Sequence, residues 1–138
     1  MFNHHIILCF LLALCNVIAG QQGIAGDSSA VDVNRKDIQN YTSYAVAKIN
    51  LDSNSSNYKR LVKVLHGTER MVAGFVYQLT ILLGLTDCDK DEVKFEPQNL
   101  DIGDKCDFKA GSFEMYLATI YSRPSRPQDE YMKIELVK

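Results

Sequence analysis

The side chains best suited to chemistry in this sequence are Cys88, Cys106 and His66. One use of such a set is a catalytic thiol, which would need His66 as its base and would leave the second cysteine without a role. A zinc site would need three or four ligands at recognisable spacings, which this set does not supply. We therefore expect no catalytic residues, no metal site, no cofactor and no enzymatic activity, with the catalytic thiol as the alternative.

The remaining cysteines and histidines lie in an apolar leader at the start of the chain. Residues 6–19 are almost unbroken apolar sequence, which fits the core of a signal peptide and is shorter than the roughly 20 residues needed to span a bilayer. Val17, Ile18 and Ala19 resemble a cleavage site. We predict a signal peptide over residues 1–20, one domain over residues 21–138 and a secreted, extracellular protein; the alternative is a buried core helix.

Secretion decides what the two later cysteines are expected to do. The oxidising route favours a single disulfide between Cys88 and Cys106, which would stabilise the fold by roughly 3 kcal/mol. Two sequons, beginning at Asn40 and Asn54, predict N-glycosylation and agree with secretion.

Composition and charge exclude several classes of partner. The chain has 138 residues, of which 46% are hydrophobic and 23% charged, as in one ordinary globular domain. Its net charge is -2, and no basic run is longer than Lys59-Arg60. We therefore expect neither nucleic-acid binding nor binding to a membrane surface.

One helix is predicted, after an arm at residues 21–33 that is rich in glycine and serine. Asn34 is expected to cap it, and an apolar stripe at three- and four-residue steps defines its buried face. The stripe consists of Ile38, Tyr41, Ala45 and Ile49. A polar loop is expected over residues 50–57, and Asn40 is expected to point away from the stripe.

Four strands are predicted after the helix. Residues 60–66 form the first, Gly67-Thr68 a turn, and residues 71–83 an alternating strand with its odd-numbered residues in the core. Residues 87–109 read as a loop pinned by the disulfide. Residues 113–121 and 131–137 form two more strands around a proline-containing turn. The fold class is α+β, with one long helix packed on a four- to five-stranded antiparallel sheet.

At this point the residues resemble the secreted type 2 cystatins. The landmarks are spaced as in that family, from the arm to the end of the second long strand. They are Gly26, Val31-Asp32, Ala47 through Asn50, Ser53-Asn54, Val72-Ala73-Gly74 and Cys88.

The resemblance implies a reversible, competitive inhibitor of papain-like, cathepsin-type cysteine proteases that fills the active-site cleft as a wedge. Ile24, Ala25 and Gly26 would occupy substrate subsites. The first hairpin would consist of Arg70, Met71, Val72, Ala73 and Gly74, and the second would contribute Pro124 and Ser125. We expect a monomer.

Three positions depart from the family pattern. Arg70 stands where the family has Gln, Ser125 follows Pro124 where the family has Trp, and Tyr116 stands near a family cysteine. Loss of an aromatic anchor costs about 2 kcal/mol or more, so we expect weaker inhibition or an unusual target protease. The alternative is a non-inhibitory secreted glycoprotein of the same fold with a binding or structural role.

Some members of the family also inhibit legumain, an asparagine-specific protease, through an Asn in the loop after the helix. Asn54 stands there, but Ser55 replaces the neighbouring Asp of that pattern, and a glycan on the sequon would cover the side chain. A glycosylated polar loop is the favoured interpretation, and legumain is the less favoured target.

Overall fold

A computed structural model describes residues 27–138 of the chain. The predicted signal peptide and the arm residues Ile24, Ala25 and Gly26 lie outside the described residues.

The sheet has five antiparallel strands that follow one another in chain order. They are β1 (Ser29–Ala30), β2 (Asn57–Met71), β3 (Phe75–Asp89), β4 (Phe108–Ser122) and β5 (Tyr131–Leu136). Two of the four connections are short hairpins, at residues 72–74 and 123–130, and the strand order confirms the predicted antiparallel sheet.

The single α-helix within residues 27–138, α1 (Lys36–Asp52), packs across one face of the sheet, and two short 3-10 helices lie at Pro97–Asn99 and Pro127–Asp129. Its buried residues include Ile38, Ala45 and Ile49, which confirms most of the predicted stripe, while Tyr41 is only partly buried. The predicted cap at Asn34 is wrong. Arg35 occupies the capping position without a side-chain cap, and Asn34 lies in the preceding turn, where its backbone N–H donates to Asp32 Oδ1 at 2.9 Å.

The core confirms the alternation of the second long strand. Tyr77, Leu79, Ile81 and Leu83 are buried beneath α1, and even-numbered residues of β4 complete the layer. Tyr116, Ala118 and Ile120 belong to that layer. The burial of one face of each strand is what the period of two requires.

The predicted turn at Gly67-Thr68 is wrong, because β2 runs through both residues to Met71. A Cβ at Gly67 would lie 2.9 Å from Val31 Cγ1 and 3.1 Å from Leu79 Cδ2. Glycine therefore serves close packing of the segment before α1 onto the sheet, and it makes no turn.

A second, smaller core lies under the loop between β3 and β4. It contains Tyr58, Leu100, Ile102 and Cys106. The Asn50 side chain joins it to the helix, because Nδ2 donates to Lys59 O at 2.9 Å and Leu100 O at 2.8 Å. The Cys88–Cys106 disulfide is present, as predicted, and ties this loop to the end of β3.

Within residues 27–138, no helix is both long and apolar enough to cross a bilayer.

Candidate functional site

The hairpin between β2 and β3 ends in an exposed apolar tip. Met71 is 68% exposed and Val72 is 47% exposed. The tip closes through a hydrogen bond from the Val72 N–H to Gly74 O at 2.9 Å. Two large apolar side chains therefore project from the shared end of β2 and β3, where a partner could bury them.

The tip depends on glycine at residue 74. Gly74 has φ 141°, and a Cβ there would lie 2.8 Å from Ser122 O. Ala73, just before it, has φ 48°, which is uncommon for a residue with a side chain. The tip is consequently a tight, conformationally demanding turn that lies against the end of β4.

The second hairpin begins where β4 ends, beside this tip. Phe75 of β3 is opposite Ser122 of β4, so residues 123–130 start at the same end of the sheet. The Arg126 N–H donates to Arg123 O at 2.8 Å, which makes a turn around Pro124 and Ser125, both exposed.

A tyrosine connects the two hairpins. The Tyr121 hydroxyl donates to Ala73 O at 3.3 Å, and its ring stacks on Tyr131 of β5 with centroids 5.4 Å apart. This contact ties the first tip to both strands of the second hairpin. This contact was not predicted from the sequence, because nothing in the local pattern identifies residue 73 as the partner of Tyr121.

The start of the described chain reaches the same end of the sheet. Ser29 is opposite Glu69, and Ala30 is opposite Thr68, so the amino end of β1 points toward the first tip. Arg35 Nη1 also contacts Glu69 Oε2 at 3.3 Å, which holds the segment leading into α1 against β2. Residues 27–30, 72–74 and 123–130 therefore lie at one end of the sheet, and we call them the wedge surface.

The wedge surface contains two arginines, Arg123 and Arg126, and a third, Arg70, lies beside it near the end of β2. Arg70 is exposed and forms no ion pair within residues 27–138. Arg123 and Arg126 share one carboxylate, Asp129, at 3.3 and 3.4 Å. Because Arg70 keeps its charge in water, it carries no cost of burial in the free protein.

The alternative of a catalytic thiol is wrong. Both Cys88 and Cys106 are consumed by the disulfide, which lies near the other end of β3 from the wedge surface. His66 is exposed on β2. In the part of the chain that the structure describes, no group of His, Cys, Asp and Glu could hold a metal ion.

Tyr116 takes part in a charged cluster far from the wedge surface. Lys59 is 8% exposed, and its Nζ lies 2.7 Å from Glu114 Oε2 and 2.9 Å from the Tyr116 hydroxyl. Burial alone would lower the pKa of Lys59, but the hydrogen bonds to Glu114 and Tyr116 outweigh burial and raise it. The hydrogen bond from Lys59 lowers the pKa of Glu114. These contacts link β2 to β4.

The two predicted glycosylation residues are exposed. Asn40 lies on α1 beside a groove of about 360 Å³ that Tyr44, Tyr131 and Met132 also line. Asn54 lies in the loop after α1, at the opposite end of the sheet from the wedge surface.

Comparison with known proteins agrees with this arrangement. A family model described as a cystatin domain matches residues 26–116. The chain belongs to the cystatin family. It is 31% identical over 91 residues to U7-hexatoxin-Hi1a of Hadronyche infensa, a match that covers 66% of this chain and 84% of that one.

Further relatives carry the family name itself. This cystatin is 29% identical over 96 residues to Cystatin-C of Oryctolagus cuniculus, covering 67% of this chain and 64% of the relative. The crystal structure of Al-CPI superposes with a TM-score of 0.65 at 25% identity, covering 82% of this chain and 96% of that one. The helix on a five-stranded antiparallel sheet is thus the fold of the family.

Proposed function

We propose that this cystatin is a reversible, competitive inhibitor of papain-like cysteine proteases that acts by inserting the wedge surface into the active-site cleft. The observation that supports this role is the placement of three separate chain segments at one end of the sheet. Residues 27–30, 72–74 and 123–130 are far apart in sequence, yet strand register brings them side by side.

The geometry suits blockade of a cleft. The apolar side chains of Met71 and Val72 would lose water on entering it, which contributes about 25 cal/mol per Å² of buried apolar surface. The tip is fixed by Gly74 and by the Tyr121 hydrogen bond, so little conformational entropy is lost on docking. In this proposal the arm residues Ile24, Ala25 and Gly26 extend the same surface into the substrate subsites.

Two side chains set the strength of this interaction. Ser125 is exposed at the second turn, where it offers a small polar contact in place of an aromatic anchor. Arg70 is exposed beside the first tip and would have to remain solvated or find an acidic partner in the complex. Both features favour weaker inhibition of papain than an aromatic second hairpin would give.

The test is a titration of papain whose active-site concentration is known. The natural protein should inhibit with a stoichiometric endpoint, and Ser125→Trp should tighten binding by roughly thirtyfold, the value of an aromatic anchor worth about 2 kcal/mol. The matched control is Ser112→Trp, an exposed serine of β4 at the opposite end of the sheet, which should leave the inhibition constant unchanged. Arg70→Gln should also tighten inhibition.

The competing outcome is also measurable. If neither the natural protein nor Ser125→Trp slows papain or cathepsin L at micromolar concentration, the inhibitor role is wrong. A non-inhibitory binding protein of the cystatin family would then be the better description.

We propose in addition that the protein is secreted and loses residues 1–20. The disulfide and the exposure of both sequon asparagines support this proposal, since disulfides persist in oxidising compartments and glycans attach to exposed residues. Mass spectrometry of protein from culture medium should give a mature chain that begins near residue 21. An intact residue 1 on the secreted protein would contradict the cleavage.

A further inference from the structure

β5 is the outer strand of the sheet, and within residues 27–138 one of its sides has no strand partner. The Val137 N–H donates to Met115 O at 2.9 Å, so residue 137 bonds inward to β4. Inward and outward groups alternate along an antiparallel strand. The N–H and C=O groups of Met132, Ile134 and Leu136 therefore point outward, away from β4.

The side chains of β5 divide into an apolar and a charged face. Met132 and Ile134 pack against the main core, and Leu136, on the same face, is 48% exposed. On the opposite face Lys133 Nζ lies 2.9 Å from Glu135 Oε1, and both side chains are largely exposed. The edge thus offers free backbone groups flanked by one charge of each sign.

From this pattern we propose that two copies of the chain pair through β5, antiparallel, with Ile134 of one copy opposite Ile134 of the other. Each Lys133 then lies opposite Glu135 of the second copy, and each Met132 lies opposite Leu136. The two five-stranded sheets become one continuous sheet. At low protein concentration we expect the chain to be the monomer predicted from the sequence.

The alternation of backbone hydrogen-bonding groups and the charges of the side chains select this register. Residues whose backbone groups point outward must lie opposite each other across the dimer. Only registers that pair even-numbered residues of β5 with even-numbered residues of the second copy are therefore possible. The neighbouring registers that satisfy this rule are centred on Lys133 or on Glu135, and each places two like charges directly opposite. Like charges at that position are destabilising, whereas the register centred on Ile134 has two attractive pairs.

The charges argue for this second copy as the occupant. A lysine on an edge strand usually discourages pairing between chains. Here Lys133 is followed two residues later by Glu135. With a twofold axis through Ile134, each Lys133 attracts Glu135 of the second copy. Six residues of strand form a small interface, so the dimer is weak and depends on concentration.

The pairing leaves both wedge surfaces free. Each wedge surface lies near Tyr131, at the amino end of β5, and antiparallel pairing sends the two amino ends in opposite directions. The dimer would present one wedge surface at each end. Its formation does not require that the wedge surface inhibits any protease.

The test is sedimentation equilibrium of the purified protein over a concentration series up to about 1 mM, after removal of N-glycans, because Asn40 borders the groove that contains Met132. The natural chain should show a reversible monomer–dimer equilibrium. Lys133→Glu and Glu135→Lys should each raise the dimer dissociation constant about tenfold, since each change creates two like-charge pairs. The double variant should return it to within about threefold of the natural value.

Mixing the two single variants gives the sharpest result. A chain with Lys133→Glu and a chain with Glu135→Lys have only opposite charges across their shared strand edge, so the mixture should associate more tightly than either variant alone. Both side chains are exposed, and circular dichroism checks that each variant is folded. A natural chain that stays monomeric at 1 mM, or a dimer that the reversals do not weaken and mixing does not restore, would overturn the proposal.

Discussion

At the scale of single residues, the first tip depends on two consecutive unusual backbone conformations. Gly74 has both φ 141° and no room for a Cβ beside Ser122 O, so Gly74→Ala should lower the free energy of unfolding by about 2 kcal/mol. Denaturant unfolding measures this. The matched control is Ala73→Gly, because residue 73 has φ 48°, which glycine adopts without strain. This variant should leave the free energy of unfolding unchanged or raise it by less than about 1 kcal/mol. Equal losses in both variants would show that the tip does not depend on backbone conformation.

A second prediction for single residues concerns acid stability. The pKa of Glu114 is lowered from its ordinary value of 4.5 by the hydrogen bond from Lys59. A carboxylate with a lowered folded pKa stabilises the fold above its unfolded pKa, and this contribution disappears as pH falls through the folded pKa. Because Glu114 is 42% exposed, the contribution at pH 7 is about 1 kcal/mol.

Substitution separates this contribution from other acid effects. Glu114→Gln should lower the free energy of unfolding at pH 7, and its difference from the natural protein should shrink as the pH falls below 4.5. Glu92→Gln, on the exposed loop after β3, is the control and should leave the free energy of unfolding unchanged both at pH 7 and at acid pH. A constant difference between Glu114→Gln and the natural protein from pH 7 to pH 3 would contradict the assigned ion pair.

At the scale of elements, the disulfide stabilises the loop and small core at the end of the sheet opposite the wedge surface. Cys88 and Cys106 are 18 residues apart, so Cys88→Ala/Cys106→Ala should cost about 3 kcal/mol of unfolding free energy. Since the wedge surface shares no contact with this loop, papain inhibition should survive at temperatures where the variant is folded. Parallel loss of inhibition and of Tyr58 burial would show instead that the two ends are coupled.

The elements also show what the sequence could predict. The 3.6 and 2.0 periodicities identified α1, the odd face of β3 and the final strands, because those patterns record burial directly. They misplaced the end of β2, since Gly67 satisfies a contact with Val31 that no local rule describes. The wedge residues were identified by family resemblance, whereas the Tyr121 to Ala73 contact and the Lys59 cluster depend on register between distant strands.

At the scale of the whole molecule, the wedge surface and the disulfide-linked loop lie at opposite ends of one sheet. β2 spans 15 residues, or about 45 Å of strand, between the loop after α1 and the wedge surface. A modification at one end is therefore too far away to touch a protease docked at the other. This separation makes the two sequons unequal in effect.

Asn54 lies at the end opposite the wedge surface, whereas Asn40 borders the groove that also contains Glu130 and Tyr131, next to the second hairpin. A glycan on Asn54 should consequently leave papain inhibition unchanged, and one on Asn40 should weaken it several-fold by steric exclusion. The measurement compares inhibition constants of Asn40→Gln and Asn54→Gln glycoproteins before and after enzymatic removal of N-glycans. Deglycosylation should tighten inhibition by the Asn54→Gln protein, which retains the Asn40 sequon, and should leave the Asn40→Gln protein unaffected. If deglycosylation instead tightened inhibition only by the Asn40→Gln protein, the protease would bind near the loop after α1, at the other end of the sheet.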